Sequence, residues 1–137
     1  MKRSFIDSNL VVYANDCTSG AKQEQAIALI QELMTSQAGV ISTQVLQEYA
    51  QVATNKLGQD SAVVLRQLRL LENFRIVPLT GKTVRRAVEI QTSYQISFWD
   101  ANIIAAAEAA DCDRILSEDL NAGQLYAGIE VVNPFQA

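Results

Sequence analysis

Short apolar runs, each too brief to make a helix, alternate along this chain with longer segments whose apolar residues recur at helical spacing. No other feature restricts the fold so strongly. Ser4-Phe5-Ile6, Gly39-Val40-Ile41, Arg75-Ile76-Val77, Arg114-Ile115-Leu116 and Ile129-Glu130-Val131-Val132 read as strands. Between them, Ala26, Leu29, Ile30 and Leu33 share one face of a helix from about residue 21 to 36. Val63, Val64, Leu68 and Leu71 do so from about 61 to 73, and Val84, Ala87, Val88 and Gln91 from about 81 to 94. Strands separated by helices imply a parallel sheet covered on both faces, a three-layer α/β arrangement of four or five short strands. No linker, repeat or low-complexity tract divides the 137 residues, which predicts one domain over 1–137.

The residue inventory removes whole classes of chemistry. There is no histidine, so no Ser-His-Asp triad, Cys-His pair, imidazole base or His-ligated zinc is available, and catalysis must lean on carboxylates. Cys17 and Cys112 have no CxxC spacing, and both are expected to be buried reduced thiols. The basic opening Met1-Lys2-Arg3 precedes an apolar stretch broken by Asp7 and Asn9, a poor secretion signal, and the run Ile103–Ala107 is too short to span a bilayer. A soluble cytoplasmic protein without a membrane partner is the expectation. Net charge is −4, from 11 basic and 15 acidic side chains, which at face value disfavours nucleic acid. Four acids gathered around metal would account for that excess.

Ligands of open parallel sheets bind beyond the carboxyl ends of the strands, so acids just after strands or early in the next helix are the ones to weigh. Asp7 follows the first strand, and Asp119 follows Arg114-Ile115-Leu116-Ser117. Glu48 falls in line with Val45, Tyr49 and Val52 at i, i+3, i+4, i+7, a carboxylate inside an apolar stripe. Asp100 repeats this with Ile103, Ile104 and Ala107. A buried carboxylate is costly unless paired or bound to a cation, and no basic residue lies near either position. Each acid also has a plainer reading. Asp7 suits a helix cap, Asp100 the third-position acid of a capping box with Ser97, and Glu48 a solvated helix residue. Asp119 suits a first-turn acid after Ser117, with Glu118 an adjacent alternative. Together the four suit Mg²⁺ or Mn²⁺, which takes a few carboxylate oxygens plus waters and substrate phosphate. Such a site hydrolyses phosphodiesters without histidine. Crowded carboxylates also predict at least one with a raised pKa. Gly81-Lys82-Thr83 ends like a phosphate-binding P-loop, but its first glycine would fall at Ile76, and it reads as an ordinary turn into a helix.

The ordered blocks resemble the PIN-domain family, in particular the VapC-like ribonuclease toxins of toxin-antitoxin pairs. Phe5-Ile6-Asp7-Ser8-Asn9-Leu10-Val11-Val12-Tyr13-Ala14 is similar to the family's opening strand and Asp-[Ser/Thr]-Asn turn. Ser42-Thr43-Gln44-Val45-Leu46-Gln47-Glu48-Tyr49 resembles the segment with its second acid, and Ser97-Phe98-Trp99-Asp100 through Ala107 the third. Ile115-Leu116-Ser117-Glu118-Asp119-Leu120 and Val131-Val132-Asn133-Pro134-Phe135 resemble the fourth block and the ending. The resemblance implies a Rossmann-like sheet and a metal-dependent endoribonuclease. It implies metal and catalytic roles for Asp7, Glu48, Asp100 and Asp119, with Ser8 and Asn9 supporting the first acid and Ser117 orienting the last. It also implies an RNA substrate, a homodimer and a cognate antitoxin. Arg66, Arg69, Arg85 and Arg86 are candidates for phosphate contacts, or else solvated helix residues.

Two readings of other classes compete. A non-catalytic PIN-like interaction module would not need four intact acids. A phosphoacceptor signalling domain also places an aspartate at a strand end, but needs a second acid at the first strand and a lysine near the last. Here Asp7 is followed by Ser8-Asn9, and no lysine follows Arg114.

Overall fold

The computed structural model describes residues 2–136. In chain order the elements are β1 (Ser4–Ile6), α1 (Ser8–Ala14), α2 (Ala21–Ser36), β2 (Gly39–Ser42), α3 (Thr43–Asn55) and α4 (Ser61–Leu71). There follow β3 (Arg75–Val77), α5 (Gly81–Tyr94), α6 (Phe98–Ala109), β4 (Arg114–Leu116), β5 (Leu125–Tyr126) and β6 (Ile129–Val132). The strands form one sheet in the order β3-β2-β1-β4-β6-β5, parallel except at its last pair, β5 with β6. The expected α/β architecture is therefore present, with a parallel sheet of the five strands read from the sequence. The sixth, β5, is an addition. It is two residues long and turns into β6 through Ala127 and Gly128, whose φ of 51° and 80° suit the tight turn of an antiparallel hairpin.

Strands buried on both faces carry no alternation, and β1 and β2 are buried throughout. Phe5, Ile6, Val40, Ile41, Ile115 and Leu116 form the centre of the core, and Leu10, Val11, Tyr49, Ile90 and Ile104 pack onto it from the helices. At the start of β2 the backbone passes so close to Phe74 that a Cβ on Gly39 would stand 2.5 Å from the ring.

Helix faces depart from the sequence reading at α5. Ala87 and Ile90 point inward, whereas Val84 and Val88 are 36% and 49% exposed. The inward face is set by packing against α6, whose run Ala101–Ala107 is buried on all sides. Helix α4 stops at Leu71, two residues short of the expected end, as the chain turns through Glu72 and Asn73 toward β3. Cys112 is buried as expected, but Cys17 is exposed, because the turn that follows α1 carries it to the surface. Among the described residues no helix is long and apolar enough to cross a membrane.

Candidate active site

Parallel pairing sends the carboxyl ends of β1, β2, β3, β4 and β6 to one edge of the sheet, and the register Ile6↔Leu116 sets Asp7 beside Ser117. The Asp7 amide donates to the Leu116 carbonyl at 3.1 Å, and the Ser117 amide to the Val132 carbonyl at 3.0 Å, so both residues continue the sheet's hydrogen bonding past its formal end. Asp7 is also the N-cap of α1, accepting from the Ser8 amide at 2.7 Å. The plainer reading of Asp7 as a cap is thus correct, and it coexists with a second set of contacts.

Those contacts link three of the four sequence-predicted acids. Ser117 Oγ donates to Asp7 Oδ2 at 2.8 Å. Asn9 Nδ2 lies 3.4 Å from Asp7 Oδ2, 3.3 Å from Ser117 Oγ and 3.1 Å from Asp119 Oδ2. Ser8 Oγ donates to Glu48 Oε1 at 3.1 Å. The Asp-Ser-Asn turn therefore gives each residue a separate partner: the aspartate holds the sheet edge, the serine reaches α3, and the asparagine bridges to the loop after β4. Ser117 differs slightly from expectation, because its hydroxyl donates to Asp7 and serves Asp119 by accepting the Asp119 amide at 3.1 Å.

Asp100 stands apart from this network. It lies in the first turn of α6, where its amide donates to Ser97 Oγ at 3.1 Å, half of the capping box the sequence suggests. Its carboxylate makes no hydrogen bond or ion pair among the described residues. What places it is Gln44, in the first turn of α3, whose Nε2 donates to the Trp99 carbonyl at 3.2 Å. That bond brings the start of α6 to the same edge of the sheet as the start of α3. Trp99 itself is 64% exposed there.

Electrostatics single out Asp7. It is 6% exposed, and its pKa is pushed from 3.8 up to about 6. Burial is the main cause, opposed by the bonds from Ser117 and Ser8, while the charges of Glu48 and Asp119 push further upward. Glu48 is half-buried and Asp119 exposed. No basic side chain forms an ion pair with any of the four acids among the described residues. Nor do three Asp, Glu or Cys side chains converge as a ready-made metal cage among them. The donors are hard carboxylate oxygens around one buried, uncompensated anion. That set fits a hydrated Mg²⁺ or Mn²⁺, which needs one or two carboxylates and keeps several waters.

A cavity of about 920 Å³ lies elsewhere, lined by Arg75, Ile76, Lys82, Arg85 and Val88 beside β3 and α5, and none of the four acids borders it. Arg66, Arg69 and Arg85 are exposed, but Arg86 is engaged by Glu108 at 2.7 and 3.0 Å, which removes it from the free cations. The sequence reading missed a cluster beside the site. Glu118 accepts from Tyr13 Oη and Lys22 Nζ, both at 2.6 Å, which holds its carboxyl below the ordinary range. These partners lie 105 and 96 residues away, beyond the reach of any local motif.

Residues 4–127 match a family model described as PIN domain. No curated protein sequence matches the chain. Among solved structures, a toxin-antitoxin complex from Klebsiella pneumoniae is similar at 20% identity, covering 98% of this chain and 99% of that one, with a TM-score of 0.71. FitAcB from Neisseria gonorrhoeae matches at 17% identity over 98% and 99%, with a TM-score of 0.70. The Mycobacterium tuberculosis toxin VapC20, described as cleaving the sarcin-ricin loop, matches at 20% identity over 85% and 91%, with a TM-score of 0.66.

Proposed function

The chain belongs to the PIN domain family, and on that premise we propose that it is a metal-dependent endoribonuclease, the toxin of a toxin-antitoxin pair. The observation that carries this reading is the buried, uncompensated Asp7 carboxylate joined through Asn9, Ser117 and Ser8 to Asp119 and Glu48 at the carboxyl edge of the sheet. Support for the toxin role comes from two of the neighbours, one a toxin and one a toxin-antitoxin complex.

Asp7, Glu48, Asp100 and Asp119 would hold Mg²⁺ or Mn²⁺, which when bound neutralises phosphoryl charge and makes bound water more acidic. The chain's own residues do the rest. Ser117 and Asn9 keep Asp7 and Asp119 from swinging apart while the ion is absent, and Ser8 fixes the Glu48 carboxylate to the same turn. Asp100 would join them from the first turn of α6, where the neighbouring Trp99 carbonyl is tied to α3 through Gln44. Exposed Arg66, Arg69 and Arg85 are candidates to contact RNA phosphates. In this reading residues 1–137 are one domain that works in the cytoplasm as a homodimer and is restrained by a cognate antitoxin.

The purified chain, freed of partner protein, is expected to cleave single-stranded RNA with Mg²⁺ or Mn²⁺ and to lose that activity in Asp7→Asn and Asp100→Asn. Cleavage that persists in excess EDTA would sink the mechanism. Folded acid variants without effect, together with a partner bound independently of metal, would favour the non-catalytic interaction module.

A further inference from the structure

We propose that Tyr13, Lys22 and Phe135 form a cage that holds Glu118, and that through Glu118 the cage fixes the turn presenting Asp119 and the Asn9 amide to the carboxylate site. Glu118 is thus a positioning residue and not a metal ligand. This inference rests on the functional reading above and assigns a task to residues that reading leaves unused.

Glu118 lies between Ser117 and Asp119, so by sequence it is an equal candidate for the last acid. Its two carboxylate oxygens are nevertheless taken. Oε1 accepts from Tyr13 Oη and Oε2 from Lys22 Nζ, each at 2.6 Å, distances typical of charge-assisted bonds. Turning the group toward Asp7 would break both.

Lys22 is itself restrained from a third direction. Its ammonium lies 4.9 Å from the Tyr13 ring centroid and 5.4 Å from that of Phe135, within reach of cation-π attraction to both. The two rings meet edge to face, with centroids 5.2 Å apart and planes at 79°. A lone half-exposed Lys-Glu pair contributes little order, because two long side chains must be immobilised for one contact. Here the ammonium is held by a carboxylate and two aromatic faces, drawn from α1, α2, the loop after β4 and the segment after β6.

The link to the site runs through the backbone. The Glu118 amide donates to Asn9 Oδ1 at 3.3 Å. This bond decides which way the Asn9 side chain faces, because with Oδ1 occupied by a donor, Nδ2 must point to Asp7, Ser117 and Asp119. Releasing Glu118 would free the turn, the amide that orients Asn9 and the carboxylate of Asp119 together. Residues beyond the direct ligands that orient a metal site commonly matter 10- to 100-fold in affinity or activity.

The sign of one substitution separates positioning from plain electrostatics. Lys22→Met keeps much of the stem but removes a positive charge near the acids, so charge alone predicts tighter binding of a divalent cation. Positioning predicts weaker binding, by about tenfold. Tyr13→Phe is the neutral companion, removing only the hydroxyl. Calorimetric titration of the full-length chain with MnCl₂ measures affinity, the Mg²⁺ concentration giving half-maximal RNA cleavage provides a second readout, and thermal melting shows that each variant is folded. We expect both variants to bind Mn²⁺ more weakly and to need more Mg²⁺, with turnover at saturating metal falling less than affinity does. Folded variants that bind Mn²⁺ as the parent does, or a Lys22→Met protein that binds it more tightly, would overturn the cage's role. Glu118→Gln that removes Mn²⁺ binding as fully as Asp7→Asn would make Glu118 a ligand and overturn it too. A parent chain that binds no Mn²⁺ defeats the metal-dependent reading itself, and the inference falls with it.

Discussion

Replacing Asp7 by asparagine should stabilise the metal-free protein at neutral pH, and the gain should depend on pH in a way no other residue imposes. In the folded state the Asp7 carboxyl titrates near pH 6, against 3.8 for the ordinary group. A raised acid pKa means the native state binds the proton more tightly than the unfolded chain. Stability therefore falls as pH rises from the unfolded pKa through the folded one, and the loss persists above it. A rise from 3.8 to about 6 corresponds to about 3 kcal/mol, of which about 2 kcal/mol falls between pH 4.5 and 7.5. Asparagine retains an oxygen to accept from the Ser8 amide or the Ser117 hydroxyl. Its amide group then faces other donors, because Ser117 Oγ already accepts from Asn9 Nδ2 and the Asp119 amide. About 1–2 kcal/mol of the gain is set against these imperfect replacements, for a net 1–2 kcal/mol at pH 7. The assay is urea unfolding of both proteins in EDTA across that pH range, with the stability difference plotted against pH. Taking the difference cancels the other titrating groups. The parent should lose ground steadily up to pH 7, and saturating Mg²⁺ should restore most of it if Asp7 binds the ion. A difference that is flat with pH, or that moves in the parent's favour as pH rises, would refute the reasoning.

Three further outcomes are expected. Gly39→Ala places a Cβ 2.5 Å from the Phe74 ring and should lower stability by about 1–3 kcal/mol in chemical denaturation, with Phe74→Leu in the same chain recovering part of the loss. Cys17 should react with iodoacetamide in the native protein, whereas Cys112, whose thiol burial pushes up to about 12, should react only on unfolding, as read by mass spectrometry. Trp99→Ala should raise KM for single-stranded RNA by about 5- to 100-fold through loss of a stacking surface beside Asp100, with a smaller change in kcat. An unchanged KM would place Trp99 outside the substrate path.

The five parallel strands were legible as short apolar runs; β1 and β2 are buried throughout, while β3 and β6 each carry an exposed charged residue, Arg75 and Glu130, beside their buried apolar ones. β5 was not, since two residues ahead of an Ala-Gly turn form no run to detect. At α5 the periodic pattern offered two valines for the core, but the small-residue face of α6 accepted Ala87 and Ile90 instead. In the site, Asp7 and Asp119 were readable as residues just past strands, and the raised pKa followed from crowding acids together. Its main cause, however, is burial, with the charges of Glu48 and Asp119 contributing less. The roles of Ser8 and Asn9 come from the folded geometry, which divides them between Glu48 and Asp119. The Tyr13-Lys22-Phe135 cage left no trace in local spacing, because it joins four segments that meet only after folding.

The adjacency of β1 and β4 has a consequence for how the chain is made. Ser117 and Asp7 meet across 110 residues, and Asn9 meets Asp119 across the same distance. A chain emerging from its N-terminus at about 5–20 residues per second presents Asp7 and the Asp-Ser-Asn turn first, then waits several seconds for their partners. During that interval β1 lacks β4, and the buried carboxylate remains in water with an ordinary titration. The carboxylate network therefore closes only after residues 114–119 have been made. On the proposed reading, a chain that stops short of them would not cleave RNA, and an antitoxin that must restrain the finished one would have that interval in which to arrive.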